Sequence, residues 1–143
     1  MSVKQISVFL ENKAGSLSDM TRVLAENNID MRAFSLSEAS DFGIARVIVD
    51  DVYKTTTVLR DAGFVHTVSE VLAVAIPDVP GGLNGVLSVL RELDVNVEYM
   101  YAFLGAKKNA AYMIMKTGDM AKVAASLIGK GIRLAEQEEL SSL

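Results

Sequence analysis

The apolar positions follow two periods that alternate along the chain. In residues 3–10, Ile6, Val8 and Leu10 share one face of an alternating stretch, which predicts a half-buried strand. A polar turn spans 12–16. Leu17, Met20, Val23 and Leu24 then recur at helical spacing up to the polar pair Asn27-Asn28. Strands are expected at 31–37 and 44–50 around the turn Asp41-Phe42-Gly43. Val52, Thr56, Leu59 and Ala62 mark a second helix that stops at Gly63, and a short strand follows near 65–68.

The pattern then repeats. Gly15 aligns with Gly81 and Leu17 with Leu83. At the same offset Val23-Leu24 meets Val89-Leu90, and Ile29-Asp30-Met31 meets Val95-Asn96-Val97. After a two-residue insertion Gly63 meets Gly131. The second copy reads as a strand at 71–76, a helix on Leu83, Val86, Leu87, Leu90 and Leu93, and strands at 95–104 and 110–116 around a turn at 105–109. A helix on Met120, Val123, Ala124, Leu127 and Ile128 is stopped by Gly129 and Gly131. The last strand is expected at 132–135, with 136–143 a loose acidic tail.

Strand, helix, strand, strand, helix, strand is the split βαβ order of a ferredoxin-like fold. The expected class is therefore α+β: two βαββαβ domains, 1–69 and 70–143, each an antiparallel sheet with its helices on one face. Domains this small are near the limit of independent stability and should share buried surface. No flexible linker divides them, because 66–76 is nearly continuous strand material. Val71 to Ile76 is apolar at every position, the mark of a strand buried on both sides. The sheet faces opposite the helices should therefore be covered, most simply by a second copy of the protein.

Composition narrows the chemistry. The 143 residues carry a net charge of −4, no cysteine and one histidine, His66. Disulfides, thiolate sites and multi-histidine metal sites within one chain are excluded. The basic residues are scattered, with Lys107-Lys108 the single doublet, so no nucleic acid is expected as a partner. No run approaches the ~20 apolar residues of a membrane helix, and no signal core follows the N-terminus; a cytoplasmic location is expected. Catalysis would need a nucleophile with its base, a carboxylate pair or a metal. With no cysteine, one histidine and no arginine in either 12–16 or 78–82, no catalytic residue, metal or cofactor is assigned, and the chain is not expected to be an enzyme.

The remaining chemistry lies in the two strand-to-helix turns. Gly15 and Gly81 permit positive φ or close backbone approach. The first turn of a helix offers free N–H groups and partial positive charge to a carboxylate. Asn12 can donate or accept, and an ionised Asp78 can hold an ammonium. The pair suits a free amino acid, but purely structural glycines and helix-capping by Asn12 and Asp78 fit the same residues.

Glu11-Asn12-Lys13-Ala14-Gly15-Ser16-Leu17 and Asp78-Val79-Pro80-Gly81-Gly82-Leu83 resemble the opening loop of ACT domains, small ferredoxin-like regulatory modules. Their pattern is Asp or Asn, any residue, Pro, Gly, any residue, Leu. The second copy fits it fully; the first has Ala14 in place of proline. The first run is similar to that of the serine-binding ACT domain of phosphoglycerate dehydrogenase, where the loop asparagine, here Asn12, contacts the effector. A second contacting asparagine matches Asn96, whereas the first copy has Asp30. The resemblance implies domains joined side by side through their second strands, with effectors between one domain's loop and the other's second strand. The implied ligand-binding residues are Asn12, Lys13, Ala14, Gly15, Ser16 and Leu17 in one loop and Asp78, Val79, Pro80, Gly81, Gly82 and Leu83 in the other. Asp30, Met31, Asn96, Tyr99 and Met100 are the second-strand candidates. The implied function is a regulatory or sensor protein for an amino acid or related small carboxylate, working as a homodimer. A second reading is a partner subunit that acts on a metabolic enzyme through protein contacts alone.

Overall fold

Among the described residues the alternating stretches form strands, except for 132–135, and each helical stripe forms a helix. The computed structural model describes residues 2–103 and 110–142. The first half contains β1 (Val3–Glu11), α1 (Ser16–Glu26), β2 (Met31–Ala39), β3 (Phe42–Val49) and α2 (Val52–Asp61). A long strand, β4 (His66–Pro77), leads into α3 (Gly82–Glu92), β5 (Val97–Ala102), β6 (Ala110–Thr117), α4 (Met120–Gly129) and α5 (Gln137–Ser142). The expected turn at 105–109 and the end of the strand before it lie outside the described residues.

The strands are ordered β2-β3-β1-β4-β6-β5, and every neighbouring pair is antiparallel. β4 belongs to both halves. Its first part pairs with β1 from Val8↔His66 to Val3↔Val71. Its second part pairs with β6 from Leu72↔Met115 to Pro77↔Ala110. The stretch expected as a last strand adds briefly to the second part: Leu134 bridges Val74, Ala75 N–H donates to Arg133 O, and Ala135 N–H donates to Ala73 O. The fold is thus α+β, two βαββαβ repeats with helices on one face of each antiparallel sheet.

Side-chain alternation along β4 sorts its residues into different cores. Leu72, Val74 and Ile76 face α3 and α4 with Val86, Leu90, Val123 and Leu127. Ile6, Val8, Leu10, Met20, Leu24 and Leu59 form the matching helix-side core of the first half. Val71 and Ala73 face the other way, into a third core. There Val3, Ala33 and Ile48 meet Tyr101, Phe103, Tyr112 and Ile114. The sheet faces opposite the helices therefore pack on each other.

This corrects the expectation that a second copy would cover those faces. The apolar run in β4 is buried on both sides because the strand passes from one sheet into the other and brings their open faces together. The second strands of the two halves also meet, through an antiparallel bridge between Ala33 and Phe103.

The loose tail is also corrected. Residues 137–142 form α5, and Leu140 is fully buried in the third core. Gln137 Oε1 accepts from Lys4 N–H at 2.7 Å, Ser141 O accepts from Arg32 Nη2 at 2.7 Å, and Glu139 pairs with Arg133. Two leucines, Leu140 and Leu143, are too few to establish a helical period in the tail, while Glu138 and Glu139 favour the start of a helix. Leu140→Ala should cost about 2–5 kcal/mol in urea unfolding, as for other buried leucines. A change within about 0.5 kcal/mol, normal for a surface residue, would contradict the docking of α5.

Candidate functional site

The two helix-opening turns have the same backbone. Gly15 (φ 91°) and Gly81 (φ 86°) are the N-cap residues of α1 and α3, both left-handed, where glycine carries no Cβ penalty. Neither helix has a side-chain cap. Asn12 and Asp78 are therefore not helix caps. Ser16 N–H bonds Lys13 O and Asp19 N–H bonds Gly15 O, which leaves the N–H groups of Leu17 and Ser18 without an acceptor among the described residues.

The first turn borders a cavity of about 250 Å³. β1 and β3 pair up to Glu11↔Phe42, so the β2–β3 hairpin returns the chain beside the turn that leaves β1. One wall is Glu11, Asn12, Lys13, Ser16 and Leu17; the other is Leu36, Ser37, Glu38 and Gly43. Leu10, Leu17 and Leu36 make the lining partly apolar. Lys13 Nζ is 2.9 Å from the Glu11 carboxylate; their hydrogen bond, then their opposite charges, lower the Glu11 pKa and raise that of Lys13. The side chains of Asn12 and Glu38 have no hydrogen bond or ion pair among the described residues. The cavity thus offers unused N–H donors at a helix start, an unused amide and an unused carboxylate, which suits a small molecule bearing both charges.

Of the residues expected at a ligand site, Asn12, Lys13, Ser16 and Leu17 come together here. Ala14 and Gly15 shape the turn and do not line the cavity. Asp30 and Met31 stand at the other end of β2, where the Asp30 carboxylate holds Arg32 at 3.2 Å and its N–H donates to Asp50. The Ala33–Phe103 bridge is antiparallel, so β5 begins on the side of the molecule where β2 ends and the cavity lies. Asn96, Tyr99 and Met100 do not line it. Asn96 is exposed, and Met100 packs in the helix-side core of the second half.

Tyr99 has a different position. Gln5, fully buried on β1, donates from Nε2 to Tyr99 OH at 2.8 Å and accepts at Oε1 from Tyr101 OH at 2.6 Å. Arg46 lies over the Tyr99 ring, 3.8 Å from its centroid, and donates to Ser37 Oγ at 3.0 Å. One polar cluster thus ties β1 and β3 of the first half to β5 of the second, and it ends at Ser37 on the cavity wall. Burial, then the neighbouring Tyr99, push the Tyr101 phenol pKa far up.

The second turn has a different setting. Asp78, Val79, Pro80 and Leu83 are exposed, while Gly81 and Gly82 border a groove of about 430 Å³ that also touches Lys130 and Ile132 beyond α4. A Cβ on Gly82 would overlap the Pro77 carbonyl oxygen. Gly82 is thus fixed by backbone packing, whereas its counterpart in the first turn is Ser16. The counterpart of the first cavity would need 104–109, outside the described residues. Among the described residues, no group of three or more His, Cys, Asp or Glu side chains could hold a metal ion, and no helix is long and apolar enough to cross a membrane.

Sequence reasoning missed Leu36, Ser37, Glu38 and Gly43, which the hairpin alone brings to the turn. It also missed Gln5 and Arg46. The signal for Gln5 was its place on the face of β1 opposite Ile6 and Val8, where a sheet packed on both sides leaves no room for water.

A family model described as an ACT domain pair matches residues 1–143. Among solved structures, protein BT0572 from Bacteroides thetaiotaomicron is 38% identical, with 100% of this chain and 98% of that chain covered at a TM-score of 0.92. The ligand-free regulatory subunit of aspartate kinase from Thermus thermophilus shares the fold at 14% identity, covering 90% of each chain at a TM-score of 0.66. Aspartate kinase from Synechocystis does so at 17% identity and a TM-score of 0.58, over 93% of this chain and 26% of that one. A search of curated proteins gives no match.

Two substitutions test this geometry. Gly15→Ala meets open space and should cost only the left-handed strain, about 1–2 kcal/mol, whereas Gly82→Ala should cost clearly more in the same unfolding assay. Equal costs would mean that the Pro77 carbonyl yields freely. Tyr101→Phe leaves Gln5 Oε1 buried without its tyrosine donor and should cost about 1–3 kcal/mol. Because the folded-state value of Tyr101 is raised, its share of stability is complete below the ordinary phenol value of 10.0 and is lost as pH climbs above it. The alkaline fall in wild-type stability should flatten in Tyr101→Phe, and an unchanged slope would contradict the buried phenol.

Proposed function

This chain belongs to the ACT domain family as a domain pair, and we propose that it is a regulatory module that binds an amino acid or related small carboxylate beside the 12–16 turn. The carrying observation is the cavity of about 250 Å³ set against the uncapped start of α1. That volume is just below the roughly 300 Å³ at which drug-sized pockets begin, and it suits a ligand no larger than a free amino acid. The ligand carboxylate takes the free Leu17 N–H at the start of α1, and Asn12 takes a polar group beside it. The halves 1–69 and 70–143 act as the two ACT units, with the polar cluster around Gln5 and Arg46 joining the cavity wall to the second half.

Regulation requires that the ligand prefer one arrangement of the halves, or of a partner, over another. The Thermus thermophilus neighbour is a regulatory subunit of aspartate kinase. A similar role here makes this chain a subunit that reports ligand to a metabolic enzyme.

A thermal-shift screen over the twenty amino acids and matching 2-oxo acids tests the proposal. A ligand at 100 times its Kd adds about 2.7 kcal/mol, which raises Tm by roughly 5–10 °C in a chain of this size. The shift should vanish in Asn12→Ala and survive in Asp78→Ala. No shift with any compound would sink the ligand reading and leave regulation through protein contacts.

A further inference from the structure

We infer that Glu38 makes this cavity selective for α-amino acids over the 2-oxo acids of the same skeleton, by accepting the ligand ammonium. The inference rests on the ligand reading above and narrows it. Three charged side chains line the cavity: Glu11, Lys13 and Glu38. Glu11 and Lys13 neutralise each other at 2.9 Å. Glu38 has no cationic partner among the described residues, so their charges leave the lining with one uncompensated negative charge. Arg46, the nearest cation on the adjoining strand, is engaged on the opposite face of the sheet by Tyr99 and Ser37.

The uncapped start of α1 and the Glu38 carboxylate are on the two walls of one small space. A zwitterion matches both poles, its carboxylate at the helix start and its ammonium at Glu38. A 2-oxo acid brings the same carboxylate with no positive group, and its binding sets a second negative charge near Glu38. Hydrogen bonds to charged groups are stronger than neutral ones. Between the poles the wall is Leu10, Leu17 and Leu36, with Gly43 leaving the floor open; a Cβ on Gly43 would come within 3.4 Å of Leu36 Cδ1. That wall takes a small, uncharged side chain.

Calorimetric titration of amino acids and their 2-oxo counterparts into wild-type protein and Glu38→Gln tests the inference. Glu38 is exposed, so the variant should keep the wild-type melting temperature without ligand. In Glu38→Gln the amino acid should bind on the order of tenfold or more weakly, while the 2-oxo acid binds equally well or better. An amino-acid affinity unchanged in Glu38→Gln but lost in Asn12→Ala would overturn the role of Glu38 and leave the cavity reading intact. Preference of the wild-type protein for the 2-oxo acid would do the same. Absence of binding by every compound would instead remove the cavity reading, and the role of Glu38 with it.

Discussion

The architecture depends on one strand that serves two sheets. β4 is 12 residues long, closes the first half through its pairing with β1 and opens the second through its pairing with β6. A strand cannot change sheets midway without carrying the second sheet along. The helix-free faces are therefore brought together, and each covers the apolar surface that the other would expose to water. Small domains gain most from such sharing, because each alone buries too little surface for independent stability.

The shared interface is not wholly apolar. At one end it is closed by Ala33, Ile48, Tyr112, Ile114 and Leu140. Towards the cavity it holds Gln5, Ser7, Arg46, Tyr99 and Tyr101, with the two tyrosine hydroxyls bonded to the Gln5 amide. Apolar packing tolerates sliding, whereas a buried amide bonded to two hydroxyls fixes one register, since any shift leaves polar atoms unpaired. The same cluster reaches Ser37 through Arg46. The end of β2 on the cavity wall is thereby linked to the contacts that hold the halves in register.

The candidate site follows from the order of the sheet more than from its loop. The 12–16 turn supplies free N–H groups wherever it is placed. The strand order β2-β3-β1 adds the opposing wall, because the β2–β3 hairpin comes back to the end of β1. The turns at Gly15 and Gly81 share a backbone conformation but differ in surroundings: Gly82 is pressed on the Pro77 carbonyl where Ser16 borders a cavity. One repeated motif thus stands in two different settings.

The sequence by itself determined the elements from β1 to α4, their order and the repeat, because periods of 2 and 3.6 and glycines needing positive φ are local properties of the chain. Gly15, Gly63, Gly81 and Gly131 all take positive φ at the turns their spacing predicted. It also marked Asn12, Lys13, Ser16 and Leu17 as candidates for a binding turn. Tertiary structure decided what covers the open faces, where the last helix docks and what stands opposite the turn. Leu140, Gln5 and Glu38 are each ordinary residues in their local context. Their surroundings come from strands as far as 94 to 96 positions away, as between Gln5 and the two tyrosines. Such partners are chosen by the folding of one sheet onto another, a constraint that no local period records.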